Sequence, residues 1–348
     1  MTGRDEPNWN VQSCVLNTNR DRFHEKPDGV IFKVDYIDTG HQNPNRANMP
    51  TVFVIPTSPG THRDLLSVVS PLAYKGMRVI IPNMPGFEHC EQIVQVGSRY
   101  VPAYTDSVFF THTTIERLDF ILRFLSYLEV SELDLAVGYG YGSVPLLVML
   151  NTPFEAQINS VMFLCPTPVH IPSTFARPAW WVGTLLDLLD SRRLKTLSGI
   201  TLPYIHAKLK GFKSRNAEER FNALQVAAGV GFYGMPDYAT ALGTKKKPFS
   251  YIFTENTKLF KRDDYEAYAG MMGMPKERML ITDDHGTWKD TFDANLKRSV
   301  MFPTSIDVPQ NMGIFRNFIT KDLFHLLALG HAHSESSSSS SDATKAEN

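Results

Sequence analysis

The sequence is poor in the features that would fix its class at once. Its 348 residues include three cysteines, Cys14, Cys90 and Cys165. They are odd in number and widely spaced, which argues against a disulfide framework and a cysteine-built zinc site. Neither sign of charge is in surplus, with 35 Lys and Arg against 36 Asp and Glu and a formal net charge of −1. That balance gives no electrostatic case for nucleic acid or an anionic membrane. No run reaches the roughly 18 apolar residues of a membrane span. The polar opening MTGRDEPNWN lacks the apolar core of a signal peptide. Internal repeats are missing as well. The expectation is a reduced, cytoplasmic, soluble protein with no membrane span, metal or cofactor.

What is present is an ordinary core composition, 43% apolar and 20% charged, arranged in alternating β and α patterns. VIFKVDYIDTG (30–40) alternates like a half-buried strand, and TVFVIP (51–56) and MRVIIP (77–82) are short β-rich runs. Between the last two, HRDLLSVVSPLAYKG reads as a helix ending at Gly76. From Thr113 to Val130, residues Ile115, Leu118, Leu122 and Leu125 recur at helical spacing, widened by Ile121 and Leu128. Strands follow at LDLAV (133–137), INSVMFLCP (158–166), PFSYIFTEN (248–256) and RMLITDD (278–284), and a last amphipathic helix spans Met312 to Leu329. Strands alternating with helices predict an α/β fold, a mostly parallel sheet of about eight strands with helices on both faces. The pattern divides the chain into an N-terminal segment 1–29, a core of 30–169 and 246–330, a helical lid at 170–245, and a disordered serine-rich tail at 331–348.

The chemistry centres on LDLAVGYGYGSV (133–144), where glycines recur at 138, 140 and 142 between a strand and a helix. A dinucleotide fingerprint needs a third glycine where Ser143 stands, and a carboxylate at the end of the next strand, which closes FLCPTP. A P-loop needs a Gly-Lys-Ser/Thr that does not follow. The remaining pattern is the nucleophile elbow G-x-S-x-G, matched at both flanking glycines. With VFVIPTSPGTHRDLLSVVSPLAYKGMRVIIPNMPGFE as the oxyanion loop, first helix and proline-glycine turn, the chain resembles the α/β-hydrolase family over roughly residues 30–325. Within that family it resembles a divergent, worm-expanded group with no assigned function.

The resemblance implies a catalytic triad, and the positions that should carry it are altered. The nucleophile position is Gly140, the acid position Thr257, and the histidine position His285 beside Asp283 and Asp284. Acyl transfer by this route needs an oxygen or sulfur on the turn, and glycine supplies neither. Glu255 is an alternative acid, and Ser143 and Cys165 are alternative nucleophiles. The oxyanion loop has Pro56 and Thr57 in place of the family's histidine-glycine pair. Backbone N–H groups of Thr57 or Ser58, with that of Tyr141, remain able to hold a carbonyl or carboxylate oxygen. His325, His331 and His333 straddle a helix end and the tail, Trp180 and Trp181 read as lid packing, and Lys245, Lys246 and Lys247 as a solvated loop.

The reading is a non-catalytic α/β-hydrolase-like protein that binds a small, partly apolar or carbonyl-containing ligand or a protein partner. Two alternatives stay open. One is an esterase- or lipase-like hydrolase with a relocated nucleophile, or a cofactor-free enzyme using His285 as general base. The other is an interaction scaffold. The sequence does not fix the oligomeric state.

Overall fold

The computed structural model describes residues 9–17, 30–96, 99–102, 112–168, 217–230, 234–255, 260–282, 297–303 and 308–346. In chain order the elements are β1 (Val11–Asn17), β2 (Val30–Asp38), β3 (Thr51–Ile55), α1 (Leu66–Tyr74), β4 (Arg78–Pro82), β5 (Cys90–Val96) and β6 (Arg99–Pro102). There follow α2 (Thr114–Tyr127), β7 (Leu133–Tyr139), α3 (Ser143–Met149), β8 (Ile158–Leu164), α4 (Ala217–Ala228) and α5 (Met235–Thr244). The chain closes with β9 (Phe249–Thr254), α6 (Arg262–Met271), β10 (Leu280–Ile281), β11 (Lys297–Phe302) and α7 (Val308–Ala346).

One sheet runs β10-β11-β9-β8-β7-β3-β4-β2-β5-β6, with β1 on the other edge of β2. The strands from β10 to β4 are parallel, and β1, β2, β5 and β6 are antiparallel additions. Strands β3, β4 and β9 are buried at every position, because helices cover both faces. Their continuous apolar runs are what a doubly covered parallel sheet demands. On one face Phe120 and Phe124 of α2, Leu146 of α3, Val226 of α4, Leu242 of α5 and Tyr268 of α6 join one core. On the other, Val68 and Leu72 of α1 meet Phe318 and Leu323 of α7.

Helix α2 shows how sequence sets this arrangement. The Thr113 hydroxyl accepts from the Glu116 N–H at 3.3 Å, and the Thr113 N–H donates to Glu116 Oε2 at 2.9 Å. This capping box starts the helix. The buried face is Thr114, Arg117, Leu118, Phe120, Ile121, Phe124 and Leu125. The apolar stripe read from sequence is rotated from it, since Ile115 is 50% exposed and Arg117 is inside. Large aromatics won the core side because Phe120 and Phe124 pack against Phe32, Tyr36 and Phe53.

The sheet differs from expectation at its margins. It has eleven strands, because β1 and the hairpin of CEQIVQV and RYVP add to β2, and the sequence reading passed over all three. RMLITDD yields only the two-residue β10 at the outer edge. The place beside β9 belongs to β11, KRSVMF, whose Phe249↔Lys297 register runs parallel. Two of its six residues are charged, and this masked it. Arg298 is nonetheless buried, in an ion pair with Asp322 of α7.

The expected lid lies outside the described residues from 169 to 216. Its second half packs into the core: Asn222 Nδ2 donates to Gly86 O at 2.6 Å and Asn151 Nδ2 to Tyr238 O at 3.2 Å. Of the lysines read as solvated, Lys246 is exposed, and Lys245 and Lys247 are partly buried. Lys245 Nζ donates to Leu150 O at 2.5 Å, and Lys247 pairs with Glu155 at 3.1 Å. Helix α7 continues through the serine run to Ala346, where the sequence predicts disorder. Once its first turns are anchored, each further residue adds a hydrogen bond without a new nucleation step. Among the described residues no helix is long and apolar enough to cross a membrane.

Two ion pairs brace the ends of strands. Arg78 grips Asp38 bidentately at 3.0 and 2.7 Å, with both side chains buried. Asp134, entering β7, accepts from the Thr51 N–H at 2.7 Å and faces His331 of α7 at 2.9 Å. Replacing Asp38 by Ala strands a buried guanidinium and should lower the unfolding free energy by about 3–5 kcal/mol in urea titrations. Truncation after His333 keeps the His331 contact, and should move the thermal midpoint by less than about 2 °C.

Candidate functional site

The carboxyl ends of β3, β4, β7 and β8 converge where ligands bind in open parallel sheets. Strand β7 ends at Tyr139, one 3₁₀ turn covers Gly140–Gly142, and α3 begins at Ser143. That is a strand-turn-helix elbow with Gly140 at its apex, at φ +53. L-residues rarely adopt that region, so glycine holds it at little steric cost.

The space a nucleophile would need is filled from the neighbouring loop. A Cβ built on Gly140 would lie 2.8 Å from Thr57 Cβ and closer still to Thr57 Oγ1. The Thr57 hydroxyl accepts the Tyr141 N–H at 3.2 Å. The sequence reading had the Tyr141 N–H free to face a ligand oxygen. In the structure a threonine oxygen takes it, because β3 delivers Thr57 against the turn. Ser58 is fully buried, and its Oγ accepts from Arg117 Nη2 at 3.3 Å.

Other hydroxyls brace the elbow. Ser143 Oγ donates to Gly140 O at 2.6 Å and accepts the Thr167 N–H at 3.1 Å. This holds the turn to the end of β8 and leaves Ser143 buried. Cys165 ends β8 half-buried at φ +43, a left-handed conformation for a non-glycine residue. Glu255 sits 3.7 Å from Arg262 Nη1. Thr257, Asp283, Asp284 and His285 lie outside the described residues. In sequence His285 follows RMLITDD, whose strand β10 lies at the edge of the sheet. His331 meets Asp134 on the opposite side of the sheet from the elbow's helix, and among the described residues no His, Cys, Asp or Glu group has the makings of a metal site.

Two buried groups were missed. Arg117 Nη2 donates to Tyr141 O at 3.2 Å as well as to Ser58. Burial pulls its guanidinium down to about 10, so it keeps its charge at neutral pH. His112, at φ +58 just before α2, is buried with Gln92 Nε2 at 3.4 Å. Burial first, and then the Arg117 charge, push its imidazole down to about 3. The signal for Arg117 was its place in the stripe 114, 117, 118, 121, 124 and 125, where an apolar residue belongs. A further polar lock ties the loop after β3 to the end of β4 and to β2: the His62 N–H donates to Asn83 Oδ1 at 2.8 Å, and Asn83 Nδ2 to Asp35 O at 2.5 Å.

Two outcomes follow from this geometry. Gly140→Ser should lower stability by roughly 1–3 kcal/mol through overpacking against Thr57. Adding Thr57→Gly should recover most of that loss, giving a positive coupling in a urea double-mutant cycle. His112 has a depressed pKa in the fold, so the unfolded chain binds the extra proton below about pH 6.5. The stability this neutral imidazole contributes is complete above that pH and is lost as pH falls toward 3. His112→Gln should flatten that acid limb in pH-dependent unfolding curves.

Comparison with known proteins agrees with the fold. Residues 24–271 match the family described as alpha/beta hydrolase of unknown function (DUF1057). No curated protein matches the chain. Among solved structures the chain resembles a putative lipase from Acinetobacter baumannii, at TM-score 0.54 and 13% identity over 93% of each chain. It also resembles an enol-lactonase from Burkholderia xenovorans, at TM-score 0.54 and 14% identity over 85% of this chain and 97% of that one. A haloalkane dehalogenase from Bradyrhizobium elkani aligns at TM-score 0.58 and 10% identity, over 93% of this chain and all of the other, 100%. At such identities the likeness speaks for the fold alone. The strand order, the elbow between β7 and α3 and the family match over most of the core agree: the chain belongs to the alpha/beta-hydrolase family.

Proposed function

We propose that this protein is a non-catalytic member of its family that binds a small, partly apolar ligand beside the elbow. The observation that carries this reading is the pairing of Gly140 with Thr57. The apex of the turn offers no nucleophile, and the Thr57 hydroxyl caps the Tyr141 N–H that would otherwise stabilise an oxyanion. Donors aimed at developing charge are often the largest single contribution to acyl transfer. With that donor engaged by a neutral hydroxyl, the site retains polar groups for recognition and little for turnover.

A second reading is a hydrolase with a displaced nucleophile. It is favoured by the hydrolytic neighbours in the fold and by Cys165, half-buried and strained at the end of β8. A thiol at the end of an apolar strand is ordinarily inert.

The two readings separate cleanly. The purified protein should not be labelled by a serine-directed fluorophosphonate, and p-nitrophenyl butyrate should hydrolyse at the rate of buffer. Turnover in the usual enzymatic range, about 1–10³ s⁻¹, that disappears in Cys165→Ala would transfer the assignment to the second reading.

A further inference from the structure

Arg117 is a full positive charge set into a helix face that is otherwise nearly all apolar. It is 2% exposed. Its two hydrogen bonds, to Ser58 Oγ and Tyr141 O, both leave from Nη2 and end on neutral acceptors. A guanidinium carries five N–H donors. Among the described residues no acceptor meets Nε or Nη1, and no carboxylate pairs with the group. Its titratable neighbour His112 is held neutral by burial and by this same charge. A buried charge with no countercharge weakens a fold, and a methionine of similar length would fill the stripe without that penalty.

Arg117 and Thr57 meet at one residue of the elbow. Thr57 Oγ1 accepts from the Tyr141 N–H, and Arg117 donates to the Tyr141 carbonyl. With its oxygen engaged there, the Thr57 hydroxyl keeps its own hydrogen, which has no acceptor among the described residues. Thr57 is partly exposed, so this donor is available to a ligand. The elbow is thus flanked by a fixed cation and a spare O–H.

We infer that the elbow takes a ligand with a carboxylate head, whose charge Arg117 balances and whose oxygen accepts from the Thr57 hydroxyl. The inference rests on the ligand-binding reading and names its ligand class. A carboxylate is acceptor-only and carries one negative charge, matching one guanidinium. A neutral carbonyl would leave Arg117 uncompensated, and a dianion would leave a net negative charge. The guanidinium need not touch the ligand to select it, because charges separated by several ångströms interact strongly in a protein interior.

The test uses the full chain and a panel of straight-chain carboxylates from butanoate to decanoate, each beside its primary amide, by calorimetric titration near neutral pH. At least one acid should bind about tenfold more tightly than its amide. Arg117→Met should bring that ratio to about one, with an unliganded thermal midpoint equal to or above that of the unmodified protein. Arg117→Lys keeps the charge and should keep the preference. Thr57→Val should weaken acid and amide by a similar factor. Acids and amides binding equally would overturn the carboxylate assignment and leave ligand binding intact. So would an Arg117→Met protein that loses stability and retains the preference. Failure of every acid and every amide to bind would overturn the ligand-binding reading with it.

Discussion

The close approach of Gly142 to the end of β3 is the constraint on which the site depends. A Cβ at Gly142 would lie 2.6 Å from Pro56 O and even nearer to Ile55 O. Real side chains do not enter such a gap, so the helix after β7 can start against β3 only while that residue is glycine. This contact puts Thr57 on the elbow, presents the Tyr141 N–H to it and brings Tyr141 O within reach of Arg117. If α3 moved outward by the width of a methyl group, all three relations would fail together. The glycine repeat noticed in the sequence is therefore first a packing requirement, with chemistry following from what the packing brings together.

The sequence revealed the parts whose physics is local or strongly periodic. β3, β4, β7 and β8 are apolar runs between turn signals, and their order with the intervening helices identified a parallel sheet. The elbow was legible because glycine spacing and a strand-to-helix change coincide. The misses have physical causes. β11 carries Lys297 and Arg298, so its strand character depends on partners far along the chain, Phe249 beside it and Asp322 across the helix layer. β5 and β6 alternate too weakly to stand out from a loop. On α2 the stripe was placed one step away from the true face, and Arg117 hid among residues assumed to be solvated.

At the site the residue identities were legible and their encounters were not. Gly140 was visibly without a side chain, and Thr57 was visibly out of place in the oxyanion loop. Only the fold shows that these two departures are complementary, with one filling the volume that the other vacates. Such pairs escape a residue-by-residue reading, since 83 positions separate the two and each looks like a separate defect. Buried polar groups behave similarly. His112 and Arg117 are unremarkable letters in a sequence, and acquire meaning from desolvation and from each other.

The Asp134 clamp lies at the amino-terminal end of β7, away from the turn where Gly140 sits. It joins the start of β3 to β7 through the Thr51 N–H and reaches the last helix through His331. The Asp134 anchor and the elbow thus lie at opposite rims of the same sheet. Substitutions at the elbow rim can therefore accumulate while the other rim preserves cooperativity. In evolutionary terms the scaffold is modular along the strand axis.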